Sequence, residues 1–388
     1  MKAIKYRELK RQYELDGPDR TVKNLRASLT DGSLRPEEFS IRELAEATLG
    51  SEGVKRMDPR GGSHLLEAGD AVDVTAFSNI TGQIIYTRVM QAYQQEAFVV
   101  SRIVDTIPTR LDGEKIPGIG QIKDEVAEVR PGMPYPSVGL GEDYIETPST
   151  NKRGFIVPVT KEAIFFDRTH LILQRAAEVG EVLGLHKEKR LLDLVIGTAN
   201  NYKWKGTPYN TYYASGDNGP WVNAITGNEL VDWTNVDAAE QLFANMLDPN
   251  TGEPIVIAAT TMLHTPKYNH PANRIFGATE IRYGAGGDDA TTDTYAPNPL
   301  QNYSTLSSRL LYRRILASGV ADAAATTWWF LGDFRKAFAY MENWPITVTQ
   351  APANSEAEFS QDIVLRFKAS ERGAAAVLNP RYIVKCTA

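Results

Sequence analysis

The sequence has one cysteine, Cys386, and five histidines among 388 residues, and it has no long hydrophobic run. A single cysteine excludes an internal disulfide and any cysteine-rich metal site. A membrane-spanning helix needs roughly 18 consecutive apolar residues, so no membrane partner is expected. The basic start of the chain lacks the apolar segment of a secretory signal. These absences predict a soluble protein that is made inside the cell.

The chain also lacks a basic excess. It has 42 Lys and Arg against 48 Asp and Glu, so its net charge is −6, and its pI is about 5.6. A protein that clamps nucleic acid along its whole length normally carries a net positive charge, so the negative charge argues against a nucleic-acid clamp. The hydrophobic content of 42% and the charged content of 23% are typical of a folded protein.

Motifs with a defined chemistry are missing as well. The sequence has no phosphate-binding GxxxxGK[ST], no GxSxG nucleophile elbow and no HExxH zinc motif. His264 and His270 lie six residues apart without a neighbouring third ligand, and Cys386 lacks a neighbouring base. The spacing of a calcium loop is not met by the acids near position 290, namely Asp288, Asp289 and Asp293. We therefore predict no catalytic residue, no metal site and no cofactor.

The sequence pattern of the first half of the chain predicts an arm followed by a long hairpin. Ser40 and Glu43 fit a capping box, and Gly50 suits the end of the helix that this box opens. Residues 98–107 look like a strand. Residues 108–155 are rich in Pro and Gly with short polar strands between, which suggests a hairpin that projects from the body.

A strand at Gly154–Thr160 leads into the longest helical pattern of the chain. Thr160 is a plausible N-cap, and apolar residues recur at helical spacing as far as about residue 197. Gly180 and Gly184 are positions where this helix could bend.

Beyond this helix the sequence alternates between helical and strand patterns. Thr234 and Asp237 predict a capping box for a helix at 236–247, and residues 309–316 are ambiguous between helix and strand. Residues 277–304 read as a surface loop. Strands are expected at five places: 254–260, 326–331, 345–349, 363–367 and 381–386.

This order of elements, together with two local stretches, resembles the major capsid proteins of tailed bacteriophages, which have the Hong Kong 97-type (HK97-like) fold. The stretch Lys152–Asp167 is similar to the family's strand that leaves the hairpin and enters its spine helix. The stretch Phe359–Lys385 is similar to the family's closing pattern, which ends in Pro-Arg-Tyr. The resemblance covers about residues 76–388 and implies an α+β fold and a structural protein without enzymatic activity.

The resemblance also implies a division of the chain. It predicts an N-terminal arm with short helices at 1–75, the start of the peripheral domain at 76–107 and the extended hairpin (E-loop) at 108–155. The peripheral domain with its spine helix would follow at 156–227, with the helix at about 160–197. The axial domain would occupy 228–340, and a return through the peripheral domain to a C-terminal axial strand would occupy 341–388.

The resemblance directs attention to charged residues that would contact neighbouring subunits. We expect such contacts from Lys115, Lys123, Asp124, Glu125, Arg130, Lys152, Arg153 and Glu342. Some relatives join a hairpin lysine covalently to an asparagine with the help of a glutamate. Lys115 and Lys123 lie in the right segment, and Asn343, Asn354, Glu342 and Glu356 lie later in the chain, but no reacting triple can be aligned.

The resemblance further implies partners and a location. The chain would assemble with itself into pentamers and hexamers of an icosahedral head enclosing double-stranded DNA, which it contacts loosely. It would meet a portal and scaffolding or decoration proteins, and it would be made in the bacterial host cytoplasm and end in the virion. Two alternatives stay open: an encapsulin-like nanocompartment shell, and a carbohydrate-active hydrolase suggested by clustered aromatic residues.

Overall fold

A computed structural model describes residues 40–56, 71–117, 144–249, 252–284, 293–351 and 363–388, with scattered positions between 11 and 36. The helices are α1 (Ile41–Arg56), α2 (Ala71–Tyr93), α3 (Val100–Ile103), α4 (Lys161–Phe165), α5 (Thr169–Ile196), α6 (Trp233–Ala244), α7 (Asn269–Gly277), α8 (Arg309–Ala317), α9 (Asp322–Ala325) and α10 (Phe334–Ala337). The strands are β1 (Asp105–Pro108), β2 (Lys115–Pro117), β3 (Tyr144–Glu146), β4 (Asn151–Thr160), β5 (Tyr202–Trp204), β6 (Thr207–Tyr209), β7 (Ala224–Thr226), β8 (Thr261–His264), β9 (Glu280–Gly284), β10 (Asp293–Pro297), β11 (Ser304–Ser307), β12 (Trp329–Gly332), β13 (Phe338–Gln350), β14 (Ile363–Val377) and β15 (Ile383–Thr387).

Helices and sheets are mixed along the chain, which confirms the predicted α+β class. The sheets have the orders β1-β13-β14-β4, β11-β8-β12-β15-β7 and β2-β3-β5-β6, and β9 and β10 form a separate pair. The chain divides into two compact units. Unit 1 comprises residues 1–96, 151–186 and 344–372, and unit 2 comprises 97–150, 187–343 and 373–388. None of the described helices has the length and apolar composition that crossing a membrane requires.

The core of unit 1 is built around α1, α2 and the first part of α5. Phe77, Ile84 and Val89 of α2 are buried against Leu173 of α5 and Phe367 of β14. Residues of the predicted arm belong to this core, because α1 buries Ile41, Leu44 and Ala45 there. The helix α1 therefore packs its apolar residues within its own unit.

The helices α2 and α5 approach closely at Gly180. A Cβ atom at this position would overlap the carbonyl oxygen of Val89 and lie 3.0 Å from the carbonyl carbon. It would also lie 3.1 Å from the Cβ of Ala92. Glycine is therefore required here by contact between helices, although it is a poor helix former.

Replacing Gly180 by alanine is expected to lower the free energy of unfolding by about 2 kcal/mol. Alanine favours a helix by about 1 kcal/mol, but a methyl group forced against backbone atoms costs about 3 kcal/mol, so the clash wins. Chemical denaturation measures the difference. The control is Gly277→Ala, whose added methyl would meet nothing within 4 Å. Equal stability of Gly180→Ala and the wild type would contradict the close approach.

Unit 2 is centred on the five-stranded sheet, in which β12 is the middle strand. Successive residues of β12 face opposite sides of this sheet. Phe330 packs in one buried cluster with residues of α5 and α8, while Trp329 and Leu331 pack in another with residues of α6 and α7. Both faces of the strand are therefore covered, which explains its uninterrupted apolar sequence.

Several sequence predictions hold, with shifted bounds. Ser40 caps α1, since its Oγ accepts the N–H of Glu43 at 3.2 Å, and Thr160 caps α4 by accepting the N–H of Ala163. The strands predicted at 345–349 and 363–367 lie within the longer β13 and β14. Those predicted at 326–331 and 381–386 correspond to β12 and β15. The ambiguous segment 309–316 is the helix α8, and Ser308 caps it.

The helix predicted over about 160–197 is wrong as a continuous element. It is interrupted between α4 and α5, where Asp167 adopts a left-handed backbone with φ of 48°. The Asp167 carboxylate accepts hydrogen bonds from the hydroxyls of Ser40 at 2.7 Å and Thr169 at 2.8 Å. These contacts hold the break, and α5 then runs for 28 residues, about 42 Å.

Other predicted elements are also wrong. Gly50 does not end a helix, because α1 continues to Arg56. The strand expected at 98–107 contains the helical turn α3 at Val100–Ile103, and β1 starts only at Asp105. The stretch 254–260 has only an isolated bridge at Pro254, and Val256 is 89% exposed, so it is not a buried strand.

The predicted cap of α6 and the predicted loop at 277–304 are also wrong. The cap of α6 is Asp232 with Asn235 as its capping-box partner, whereas Thr234 lies inside the helix. The predicted loop at 277–304 contains the antiparallel pair of β9 and β10. The glycine-rich and acidic residues 285–292 between them lie outside the described residues.

Candidate functional site

An exposed apolar groove runs along unit 1 between β4 and α5. Four of its lining residues are large hydrophobic side chains that remain solvent-exposed, namely Phe155, Ile156, Leu171 and Val182. We call this surface the β4–α5 groove. Its volume is about 460 Å³, and an ion pair between Arg175 and Glu178 of 2.8 Å lies along α5. Exposed apolar residues gathered in this way mark an interaction surface.

The position of β4 at the sheet edge explains why this surface is open. In the order β1-β13-β14-β4, only β14 flanks β4. Phe155 and Ile156 are successive and therefore point to opposite faces of the strand, so neither face is covered there. Gly154 lets β4 approach β14, because a Cβ there would lie 2.9 Å from the Cβ of Ser370.

The groove was not predicted, although the amino-acid sequence of β4 carries a signal of it. An amphipathic strand alternates apolar and polar residues, whereas Phe155, Ile156 and Val157 are consecutive and only Val157 of the three is buried. Leu171 and Val182 lie beside the apolar stripe that predicted the helix. The sequence shows the excess of apolar residues, but which of them remain uncovered depends on tertiary packing.

Two of the predicted contact residues, Lys152 and Arg153, lie on the edge strand β4. Lys152 is exposed, with its Nζ 6.0 Å from the centre of the Trp344 ring, and Arg153 is half-buried. Charged residues on an edge strand oppose uncontrolled pairing with other strands. Their contact with a neighbouring subunit stays a prediction.

The base of the predicted hairpin lies in unit 2. The strands β2 and β3 pair antiparallel, with Lys115 opposite Glu146. The Lys115 ammonium lies 3.6 Å from the Glu146 carboxylate and 4.5 Å from the centre of the Tyr144 ring. Four predicted contact residues of the hairpin lie outside the described residues, namely Lys123, Asp124, Glu125 and Arg130.

Of the residues considered for covalent joining, Asn343 and Glu342 lie in the described part of the chain and have partners within it. The Nδ2 of Asn343 donates to the carbonyl oxygens of Thr109 and Leu111, both at 3.1 Å. The neighbouring Glu342 is half-buried, and its backbone carbonyl accepts the N–H of Thr109. Asn343 thus fastens the segment after β1 to β13. Asn354 and Glu356 lie outside the described residues.

Two of the residues considered for chemistry, Cys386 and His264, are buried. Burial raises the pKa of the Cys386 thiol to about 12, so the reactive thiolate is disfavoured at neutral pH. Burial also lowers the pKa of His264, whose ring nitrogen Nδ1 lies 2.9 Å from the Thr265 carbonyl oxygen. Within the residues that the structure describes, no three His, Cys, Asp or Glu side chains are grouped to hold a metal ion.

Lys385 is a half-buried cation of unit 2. Its ammonium donates to the carbonyl of Ile196, the last residue of α5, at 3.2 Å, and lies 3.7 Å from the centre of the Trp328 ring. A cation at a helix C-terminus is favourable, as is a cation on an indole face. The loss of water nevertheless dominates and lowers the pKa of Lys385 to about 8.

This lowered pKa predicts that the protein gains stability relative to Lys385→Met between pH 8 and pH 9, a comparison from which the opposite contribution of the buried Cys386 thiol cancels. In that range the unfolded lysine, with a pKa of 10.5, binds a proton that the folded lysine releases, so the lysine's contribution to the free energy of unfolding rises with pH. The expected gain is about 1 kcal/mol. Denaturation of both proteins at both pH values measures it. A wild type that loses stability relative to Lys385→Met over this range would contradict the argument.

The comparisons with known proteins identify the family. The solved structures similar to this chain include the capsid of a native GTA particle, with 14% identity, coverage of 76% of this chain and 90% of that chain, and a TM-score of 0.43. They also include the cyanophage Pam1 capsid, with 12% identity, coverage of 71% and 84%, and a TM-score of 0.43. A third is the holo-SrpI encapsulin of Synechococcus elongatus, with 12% identity, coverage of 76% and 87%, and a TM-score of 0.40. No curated protein sequence matches the chain significantly.

The family assignment rests on sequence rather than on these low structural similarities. The family described as "Phage capsid protein" matches residues 144–386, from β3 to β15. These are 386 − 143 = 243 of the 388 residues, more than half of the chain. They include the β4–α5 groove and most of unit 2. The chain therefore belongs to the phage capsid protein family, whose members are structural proteins of the virion rather than enzymes.

Proposed function

We propose that this chain is the major subunit of an icosahedral phage head and assembles with copies of itself into pentamers and hexamers. The observation that carries the proposal is the exposed β4–α5 groove in a chain of the capsid family. An isolated subunit gains little from keeping Phe155 and Ile156 exposed, whereas a neighbouring copy that covers them gains their burial.

The proposal gives each unit a place in the shell. Unit 1 holds the first part of the predicted peripheral domain, residues 156–186, and unit 2 holds the predicted axial domain at 228–340 together with residues 187–227. The hairpin that starts at β2 reaches a neighbouring subunit, and the charged residues of β4 contact another. Contacts between different patches on the two partners generate rings and closed shells.

The net charge of the chain supports weak contact with the packaged DNA. With a net charge of −6, the subunit does not attract the phosphates of double-stranded DNA as a whole. The DNA is thus enclosed rather than gripped. The further partners are a portal and scaffolding or decoration proteins, and the chain is made in the host cytoplasm before it enters the virion.

Size-exclusion chromatography and negative-stain electron microscopy of the purified full-length chain test the proposal. Rings of five or six subunits, or closed hollow particles, are the expected result. A monomer or dimer that persists at high concentration, and also when the neighbouring phage genes are co-expressed, would contradict it. Closed particles that hold a protein cargo and no DNA would instead indicate an encapsulin-like compartment.

A further inference from the structure

A second concave surface lies in unit 2, beside the base of the hairpin. It is a pocket of about 360 Å³. Its apolar walls are formed by side chains from β2, β3, β5 and the segment before β15, among them Ile116, Ile145, Trp204, Leu378 and Tyr382. Apolar walls with a few polar groups are typical of a binding site.

Arg381 lines this pocket and is only 3% exposed. Its guanidinium lies over the ring of Trp221, 4.6 Å from the ring centre, which covers one face of the cation. The Arg381 backbone is fixed by the side chain of Asn379, which accepts its N–H at 3.2 Å. Within the described part of the chain, no carboxylate forms an ion pair with this guanidinium and no protein group accepts a hydrogen bond from it.

The guanidinium nitrogens of Arg381 are not among the buried polar atoms that lack a partner, so they reach the solvent of the pocket. Arginine stays protonated in proteins, so it cannot relieve its burial by losing the charge. The stacking on Trp221 offsets part of the cost of burial, but the N–H groups at the guanidinium edge still require acceptors.

Two more cations, Arg335 and Lys336 of α10, line the same pocket. Both form long ion pairs with acids outside the lining, since Arg335 lies 3.9 Å from Asp105 and Lys336 lies 3.7 Å from Asp333. Asp248 is the acidic residue among the lining residues that the structure describes, so three cations against one anion give a net charge of +2. The pocket is therefore positive within a chain whose net charge is −6.

We infer that this pocket binds an acidic side chain, flanked by apolar residues, from a neighbouring copy of the chain. A carboxylate is planar and can accept two N–H groups of the Arg381 edge at once, while apolar neighbours of the acid contact Ile145 and Trp204. A double helix presents its phosphates on a convex surface and cannot enter so small a concavity. The inference rests on the proposed function, because shell assembly supplies the second copy.

The test uses two peptides and the purified full-length chain in its unassembled state. The probe is the capped pentapeptide Gly-Leu-Glu-Leu-Gly, and its control has Gln in place of Glu. Binding is followed by tryptophan fluorescence, since Trp204 lines the pocket and Trp221 stacks on Arg381. We expect the Glu peptide to bind at least ~10-fold more tightly than the Gln peptide.

Variants assign this preference to the pocket. Arg381→Gln should reduce the ratio of the two affinities to about one. Lys336→Gln, a change at an exposed side chain, should reduce the ratio of the two affinities by about threefold. This variant tests the pocket if Arg381→Gln does not fold. Lys267→Gln, which removes another exposed lysine with a carboxylate partner, should leave the ratio unchanged. Equal affinities of the two peptides for the wild type would overturn the inference and would leave the proposed function intact.

A second readout identifies the source of the carboxylate. If a neighbouring copy supplies it, a saturating amount of the Glu peptide should slow assembly of the wild type at least ~10-fold, while the Gln peptide should not. Binding of the Glu peptide without any effect on assembly would overturn the neighbouring copy as the occupant. A chain that never assembles would instead count against the proposed function, so the two failures are distinguishable.

Discussion

Replacing Ile156 by aspartate should raise the protein concentration needed for assembly by roughly a hundredfold and leave the fold intact. Ile156 lies on the edge strand β4 and is 59% exposed in the isolated chain, so the change removes little from the core of unit 1. In the shell the same position would lie against a neighbour, where an unpaired carboxylate costs about 3 kcal/mol per contact. That cost corresponds to a rise of roughly a hundredfold in the protein concentration at which shells form.

Light scattering against protein concentration measures the effect, and denaturation of the unassembled protein checks the fold. The free energy of unfolding of Ile156→Asp should agree with the wild type within about 0.5 kcal/mol. The matched control is Val256→Asp, which places the same charge at an even more exposed β-branched residue away from the groove. Shells that form from Ile156→Asp at the wild-type concentration, or an equal defect in Val256→Asp, would show that the β4–α5 groove is not an assembly surface.

The features that sequence predicted correctly are governed by neighbours in the chain. Ser40 and Thr160 were expected to cap helices because the N–H groups they accept lie three residues away. The strands at 345–349 and 363–367 were expected because their alternation is local. The resemblance to the Hong Kong 97-type capsid proteins, which joined such local patterns by their order, is confirmed by the family match.

The features that sequence missed depend on residues that are distant in the chain. The break at Asp167 is held by Ser40, 127 positions earlier, and no local pattern reveals it. The run 254–260 is as apolar as a buried strand, but Val256 is exposed because the sheet begins later, at Thr261. The Pro-Arg-Tyr ending marked position 381, whereas the burial of Arg381 over Trp221 appears only in the folded chain.

A second large effect is expected at Glu188, a buried carboxylate of α5 that holds the short helix α3. Glu188 accepts the backbone N–H of Val100 at 2.7 Å and that of Ser101 at 2.8 Å. These are N–H groups of the first turn of α3, which have no partner inside the helix. Glu188→Ala leaves both without an acceptor, and each loss costs about 1–3 kcal/mol. We expect the free energy of unfolding to fall by about 3 kcal/mol.

The amide variant Glu188→Gln separates the hydrogen bonds from the charge. Its carbonyl oxygen can accept one of the two N–H groups, so its stability should lie between the wild type and Glu188→Ala. Burial raises the pKa of Glu188 above its usual 4.5, against the opposing effect of the hydrogen bonds. Between pH 4.5 and the higher pKa of the folded carboxyl, the folded state holds a proton that the unfolded state releases. Wild-type stability should therefore fall relative to Glu188→Gln as pH rises between these two pKa values.

Urea denaturation at neutral pH ranks the variants, with Glu181→Ala as the matched control, because Glu181 is an exposed glutamate on the same helix. The control should lose less than about 0.5 kcal/mol. The segment after α3 enters β1, which pairs with β13 between Asp105 and Ala339. Loss of the Glu188 contacts should thus release β1 as well, and hydrogen exchange at Thr106 and Ile107 should rise in Glu188→Ala. Unchanged stability in Glu188→Ala would mean that water replaces the carboxylate, and that α3 is held by the packing of Val100 instead.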